Sequence, residues 1–574
     1  MGVTVTTDPK RRGFLVQGSA VAAAFACGLL QVNRARAKAV PSSDPRAVVE
    51  TTAGRIRGAI ADGIHIFRGI RYGGLTSGGA RFRAPVPVTR WGGVRDAVEY
   101  GDQAVQLRVG ADRIVSGASL NRDTSNLIPV WSTSQSEDCL NLNVWTPAVN
   151  RGGKRPVMVW LHPGGFEYGS ANAAFNDGTN LARRGNVVVV SINHRLGALG
   201  YLHLGEQGEF ARSGNVGMLD LILGLTWVRD NIEVFGGDPG CVMIHGESGG
   251  ARKVSTLLAM PQAKGLFHRA AIQSGAALRF PSNEVQSKRT RYVFEELGLN
   301  ERDVIKLQQV PAPKLIAAGM AASARVRKEL PPGAPFHETY GFAPVLGPDL
   351  RTWPFDPVAP EMSADVPVIV GSNRHEMSLA FTQDRRFDEV DDGELVEQAR
   401  ALVGERAAVL VQRYREIHPD MSRRDLMLLF SADHSHRMDS ITLAERKSAR
   451  AKAPVYAYRF DWESPVFDGL IKAAHTYEIP HVFDNAQLCS GMTGGGLDSV
   501  AMAAKMSSAW IEFARSGNPN VKTLPFWPAY DASRRATMIF NDVCEVHEDP
   551  GSQERLLWRE IESQRSGAAS GRSW

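Results

Sequence analysis

The sequence predicts an α/β fold with a mainly parallel central sheet, flanking helices and helical cap segments. Three observations carry that prediction. From Arg155 onward the apolar runs "RPVMVWLHPGG", "NVVVVSINHR", "CVMIHGESGG", "AAIQSG" and "VPVIVGSN" are short and each runs into Gly, Asn or His, the pattern of strands buried on both faces. Between the second and third lies "NVGMLDLILGLTWVRDNIEVF", whose apolar residues recur at helical spacing, and such alternation implies parallel strands joined by right-handed crossovers. Finally, 574 residues with 43% hydrophobic and 22% charged side chains supply core for one large body and leave little for long disorder.

The remaining elements follow in chain order. "AVVETTAGRIRGAIADGIHIFRGIRYGG" alternates apolar and polar residues between glycines, an antiparallel β start. Segments from about 283 to 338 and 387 to 452 are charge-rich helical stretches expected to cap the carboxyl edge of the sheet, where open α/β sheets hold their ligands. Residues 563–574, including "SGAASGRSW", are small and polar, the composition of a frayed tail. One domain is expected over 38–562.

"IHGESGGA" places Ser248 in a Gly-x-Ser-x-Gly turn between a strand and a helix. The glycines leave room for a turn that lifts the hydroxyl above the sheet, and the following helix points free N–H groups toward any oxyanion formed there. A serine hydroxyl alone is a poor nucleophile, so this chemistry requires a histidine base oriented by an acid. Upstream, "WLHPGGFEYGS" runs from a strand into Gly164 and Gly165, adjacent glycine N–H groups of the kind an oxyanion hole uses.

These segments, with "SEDCLNLNVW", "GNVGMLDLILGLTWVRDNIEVFGGDPGCVMIHGESGGA", "WIEFARSGNPN" and "FWPAY", resemble the type-B carboxylesterases over nearly the whole chain after the N-terminal segment. The resemblance implies an α/β-hydrolase fold and hydrolysis of a small-molecule carboxylic ester through an acyl-enzyme. It further implies that Glu376 in "VIVGSNRHEMSLAF" is the acid and His475 in "IKAAHTYEIPHVF" the base; Ser248, Glu376, His475 is then the α/β-hydrolase chain order. His375 is expected to point away from its neighbour's role, and His481 to pack on a wall. By the same matching Gly164, Gly165 and Gly249 supply the oxyanion N–H groups, while Trp131, Phe166 and Glu247 belong to the substrate pocket. Trp131 is expected to act first as an apolar wall. For Glu247 two readings stay open, electrostatic tuning of the site and a hydrogen-bonded structural carboxylate.

Two positions depart from the family. Pro163 stands where glycine is usual, but that position is not one of the donors, so the hole survives on a stiffer loop. Ala104 stands where many relatives carry the cysteine that bridges to the equivalent of Cys139, so that disulfide cannot form. Cys241 is expected to be a buried thiol, and Asp220 to be structural. His434 and His436 in "SADHSHRMDS" have no cysteine or acidic cluster at ligand spacing, so a solvated helix end is expected and no metal. No phosphate loop or dinucleotide fingerprint occurs, and no cofactor is expected.

The N-terminus has its own grammar. "KRRGFLVQGSAVAAAFACGLLQVNRARA" carries Arg11-Arg12, an apolar run from about 16 to 30 and Ala35-Arg36-Ala37. That is the pattern of a twin-arginine export signal over 1–37. The run falls short of the roughly 20 residues of a spanning helix, so a cleaved chain in the periplasm or medium is expected, without stable membrane insertion. Lys10, Arg11, Arg12, Arg34 and Arg36 in this segment face Asp8 alone and account for most of the formal net charge of +5. The near-neutral remainder argues against a nucleic-acid partner.

Overall fold

The computed structural model describes residues 43–107, 134–149, 152–206, 208–381 and 389–570. The predicted buried runs are strands: β7 (Arg155–Leu161), β8 (Val188–Ile192), β9 (Gly237–Glu247), β10 (Arg269–Gln273) and β11 (Val368–Asn373). With β12 (Val455–Phe460) and β13 (Ala536–Phe540) they pair in parallel in the order β8-β7-β9-β10-β11-β12-β13. Antiparallel strands close both edges, with β14 (Glu545–Glu548) beside β13 and β6 (Asn141–Thr146), β4 (Ile64–Arg71) and β3 (Ala59–Ala61) beyond β8. The expected antiparallel start is present. Its first part, β1 (Val48–Glu50) with β2 (Arg55–Arg57), pairs with β5 (Val94–Asp96) in a separate three-stranded sheet.

Two apolar layers bury the sheet's faces. Val157, Val159, Val190, Ile244 and Ile272 meet the helix Val216–Asn231 on one side; Met158, Trp160, Val189, Met243 and Ala271 meet the helix Leu497–Ser516 on the other. The period-two split of each strand's side chains between these layers explains its unbroken apolar sequence. A third cluster, including Leu395, Tyr414, Phe430, Trp558 and Ile561, joins the helices Asp392–Val403, Ala407–Ile417 and Arg423–Ala432 to the C-terminal helix Ser552–Ser570. Met377 and Phe381 belong to this cluster, so the loop after β11 is clamped between sheet and cap. The C-terminal helix continues into the stretch whose composition suggests a tail.

Asp220 is structural in a specific way. Its carboxylate takes two hydrogen bonds from the Arg195 guanidinium, at 2.8 and 2.6 Å, and one from the Arg195 backbone N–H, all buried. The pair ties the turn after β8 to the helix Val216–Asn231. Removing one partner strands a buried charge, so Asp220→Ala is expected to destabilise the fold by about 3–5 kcal/mol, read from denaturant unfolding. A loss below about 1 kcal/mol contradicts this role for the pair.

Cys139, Cys241, Cys489 and Cys544 are all free thiols. Cys139 and Ala104 lie in the same tightly packed region beside Leu196 and Leu199, consistent with the missing bridge. Cys241 is half-buried, not buried as expected, because it lies at the outer start of β9 beside exposed Gly240, with the Arg269 guanidinium and the Ala514 carbonyl against its sulfur.

Candidate active site

β9 ends at Glu247, the helix Gly249–Leu257 begins two residues later, and Ser248 between them has φ 54° and ψ −119°. That strained turn is held by the Ser248 N–H donating to the Gln273 carbonyl at 2.9 Å. It persists because its surroundings fix it. Glycine is required at 249: a Cβ there would overlap the Gly165 backbone. Gly164, at φ 98°, leaves no space for a Cβ beside the Tyr168 carbonyl. The loop after β7 and the start of the helix thus meet directly, gathering Gly164, Gly165 and Gly249 beside Ser248. Pro163 lies in this loop, its carbonyl 2.8 Å from His162 Nδ1.

Glu376 lies in the loop after β11, and His475 in the irregular segment after β12. His475 Nδ1 is 2.5 Å from Glu376 Oε2, and the Asn373 N–H donates to Glu376 Oε1 at 2.8 Å. Nε2 of His475 lies 3.2 Å from Glu247 Oε1, which brings the imidazole's far edge to the residue beside Ser248. His375 instead turns toward Glu463, at 3.9 Å, and His481 is buried between Trp462 and Phe460. Phe166 is buried edge-on to Tyr201 and Phe280. Trp131 lies outside the described residues.

Two buried carboxyls, Glu376 and Glu247, flank this imidazole and a third, Glu478, lies behind Asn373; their environments separate them. Burial works to raise the Glu376 pKa, but His436, His475 and the hydrogen bonds from His475 and Asn373 outweigh it and hold it below the ordinary value. Burial, then the neighbouring Glu478 and Glu376, push Glu247 well above that value. Burial and Glu376 push Glu478 up to about 8, against a hydrogen bond from Asn373. Of the three, Glu376 is the one whose surroundings favour the ionised form, where it can stabilise a protonated His475. Both carboxylate oxygens of Glu247 are buried without a hydrogen-bond partner among the described residues, with Oε1 facing the His475 ring edge.

Sequence reasoning left three neighbours without a role. Glu478 follows His475 by three residues, and Asn373 bridges it to the Ala474 carbonyl. Lys253, buried on the helix after Ser248, donates to the His162 carbonyl at 3.0 Å, beneath the glycine loop. Burial and Arg252 hold its pKa well below the ordinary value against the pull of Glu247; a lysine early in the helix that follows the Gly-x-Ser-x-Gly turn is the sequence signal that could have found it. The third is His436. The expected solvated helix end is a π-helical turn, Asp433–Arg437, in which His436 is 3% exposed and His434 half-buried. The Asp433–Arg437 pair at 2.9 Å and the Tyr414 hydroxyl on Asp433 fix that turn inside the cap, bringing the His436 ring to 4.8 Å from that of His475.

Lys253→Met removes the donor under the glycine loop and leaves a buried carbonyl unmet, at a cost of about 1–3 kcal/mol. We expect kcat to fall by about 10- to 100-fold with little change in KM. Affinity for a trifluoromethyl ketone, which mimics the oxyanion, should fall in parallel with kcat. Unchanged ketone affinity contradicts a positioning role.

Residues 45–558 match the carboxylesterase family. The chain is 34% identical over 522 residues to a para-nitrobenzyl esterase of Bacillus subtilis (strain 168), covering 88% of this chain and 97% of that protein. It is 33% identical over 504 residues to a phenmedipham hydrolase of Pseudarthrobacter oxydans, covering 87% and 95%. Among solved structures, a Geobacillus stearothermophilus carboxylesterase gives a TM-score of 0.75 at 33% identity, covering 89% of this chain and 100% of that one. An esterase from Clostridium hathewayi that can hydrolyze aliphatic aromatic polyesters gives 0.74 at 33% identity, covering 91% and 99%. With the α/β-hydrolase architecture and a match of this length, the chain belongs to the carboxylesterase family and is a serine ester hydrolase.

Proposed function

We propose that Ser248 is the nucleophile, His475 the general base and Glu376 the acid that orients it, with Gly164, Gly165 and Gly249 donating to the oxyanion. The observation that carries this reading is the position of His475, held by Glu376 at Nδ1 and reaching the residue beside Ser248 with Nε2. His475 Nε2 takes the Ser248 proton as Oγ bonds to the ester carbonyl carbon. The carbonyl oxygen gains the negative charge, which the glycine N–H groups stabilise. Collapse breaks the bond to the leaving alcohol, which receives the proton from His475. Water then repeats the sequence on the acyl-enzyme, releasing the acid and restoring Ser248. The ionised Glu376 stabilises the imidazolium formed in both halves.

The preferred substrates in this reading are neutral alkyl or aryl esters of short to medium acyl length. The chain beyond the N-terminal segment carries nearly balanced charge, and strong steering of a cation requires a large field of one sign. The names of the relatives, a para-nitrobenzyl esterase and an esterase that can hydrolyze polyesters, support an uncharged ester. The test is a chromogenic ester panel graded by acyl length, with a choline ester compared against its uncharged carbon isostere. We expect kcat/KM to favour the neutral ester with weak salt dependence. A preference for the cation above about tenfold, roughly 1.4 kcal/mol, that fades with salt contradicts the assignment.

Export through the twin-arginine route belongs to the same reading. It rests on Arg11, Arg12 and the apolar run, which lie outside the described residues. Among the described residues no helix is long and apolar enough to cross a membrane.

A further inference from the structure

We propose that Glu376, His436 and His475 form a binding site for a divalent transition-metal ion of the zinc type, and that its occupancy switches the esterase off. The proposal rests on the reading of His475 as general base and adds a regulation of that site. One donor atom from each of the three side chains lies within 4.8 Å of the others, all three being buried. Donors around tetrahedral zinc sit about 3.4 Å apart given Zn–N near 2.1 Å, so the widest pair must close by as much as about 1.4 Å.

A second observation points to a ligand. The Ser435 hydroxyl donates to the Ala432 carbonyl and accepts from His436 Nδ1 at 2.8 Å. In that arrangement a neutral His436 carries its proton on Nδ1 and a lone pair on Nε2. Nε2 is buried without a hydrogen-bond partner among the described residues. A histidine whose far nitrogen donates to an oxygen while the other faces a carboxylate-bearing cluster is arranged as metal ligands are. The π-turn that carries it is the kind of helix irregularity found at functional positions. An open cavity of about 480 Å³ lies next to this turn, lined by His434, Phe336, Asp439 and Glu562 among others, and the Phe336 ring contacts both His434 and His436.

The consequence for catalysis follows from proton bookkeeping on one imidazole. Neutral His475 carries a single ring proton. An ion bound at Nδ1 takes that nitrogen's lone pair, so the proton resides on Nε2, and Nε2–H cannot accept the Ser248 proton. An ion bound at Nε2 occupies the base's lone pair directly. Either way no net proton is released, Glu376 remains ionised as a ligand, and Ser248 stays protonated.

The test uses the purified chain, freed of metal, with Zn²⁺ as inhibitor and Cu²⁺ as spectroscopic probe. Zn²⁺ should slow both ester turnover and organophosphonate labelling of Ser248. Cu²⁺ bound at one equivalent should show electron paramagnetic resonance couplings from two imidazole nitrogens. His436→Phe and His436→Gln, each compared with its own metal-free rate, should need at least about tenfold more Zn²⁺ and lose one of those couplings, whereas His434→Ala should do neither. Wild-type Zn²⁺ sensitivity in both His436 variants, or a Cu²⁺ signal without two nitrogens in the wild type, overturns the site. Copper bound with two nitrogens but labelling unaffected by zinc overturns the switch. Failure of Ser248 to label in metal-free enzyme overturns the hydrolytic reading instead, so the two failures are distinct.

Discussion

Ser248→Ala is expected to lower kcat by about 10⁴ to 10⁶ with the fold intact. The side chain is 7% exposed and loses one oxygen, and alanine meets the same backbone requirement at φ 54° that serine does. What disappears is the oxygen that, on the proposed mechanism, bonds to the acyl carbon. Residual turnover should come from the oxyanion donors and substrate binding alone. The measurement is steady-state kinetics on a para-nitrophenyl ester with thermal unfolding as the fold control. A variant within about tenfold of wild type contradicts the assignment.

Glu376→Gln should lose about 10⁴ in kcat, and His375→Ala, one residue away, should lose little. Glu376 accepts from two fixed donors, the Asn373 N–H and His475 Nδ1. A glutamine offers one oxygen and one NH₂, so whichever donor the oxygen keeps, the other faces an N–H. If the loser is His475, the wrong tautomer is presented to Ser248. Removing the Glu376 charge also removes one of the influences holding Glu478 at about 8. Glu478 then ionises at lower pH, and the residual activity of Glu376→Gln should rise with pH below that point. Kinetics of both variants across pH decide the matter; a severe loss in His375→Ala with a mild one in Glu376→Gln assigns the acid wrongly.

The parts of this molecule legible in sequence are those governed by short-range rules. A strand buried on both faces has to be apolar throughout, so β7 to β11 announce themselves. The turn at Ser248 needs glycine on both sides, and the loop at Gly164 needs it for its positive φ. The carboxylate partner of His475 is 99 residues away along the chain, and no short-range rule joins the two; only the resemblance of "GSNRHEM" and "AAHTYE" to carboxylesterase segments points to the pair. His436 has no such pattern. Its burial depends on a π-turn pinned by Asp433, Arg437 and Tyr414, and on a cap whose helices meet only in three dimensions, so a polar stretch resembled a solvated helix end. Glu247 stayed ambiguous for a similar reason, since its position beside His475 comes from a loop 228 residues further on. The buried carboxyl triplet is a tertiary fact, and composition carries no trace of it.

The central claim is that Ser248 becomes covalently acylated. The most direct measurement is peptide mass mapping after brief exposure to a para-nitrophenyl ester, with an organophosphonate as the stable counterpart. One adduct per chain is expected, located on Ser248, absent from Ser248→Ala and much slower to form in His475→Ala. An adduct on any other residue, or labelling of Ser248→Ala at the wild-type rate, contradicts it.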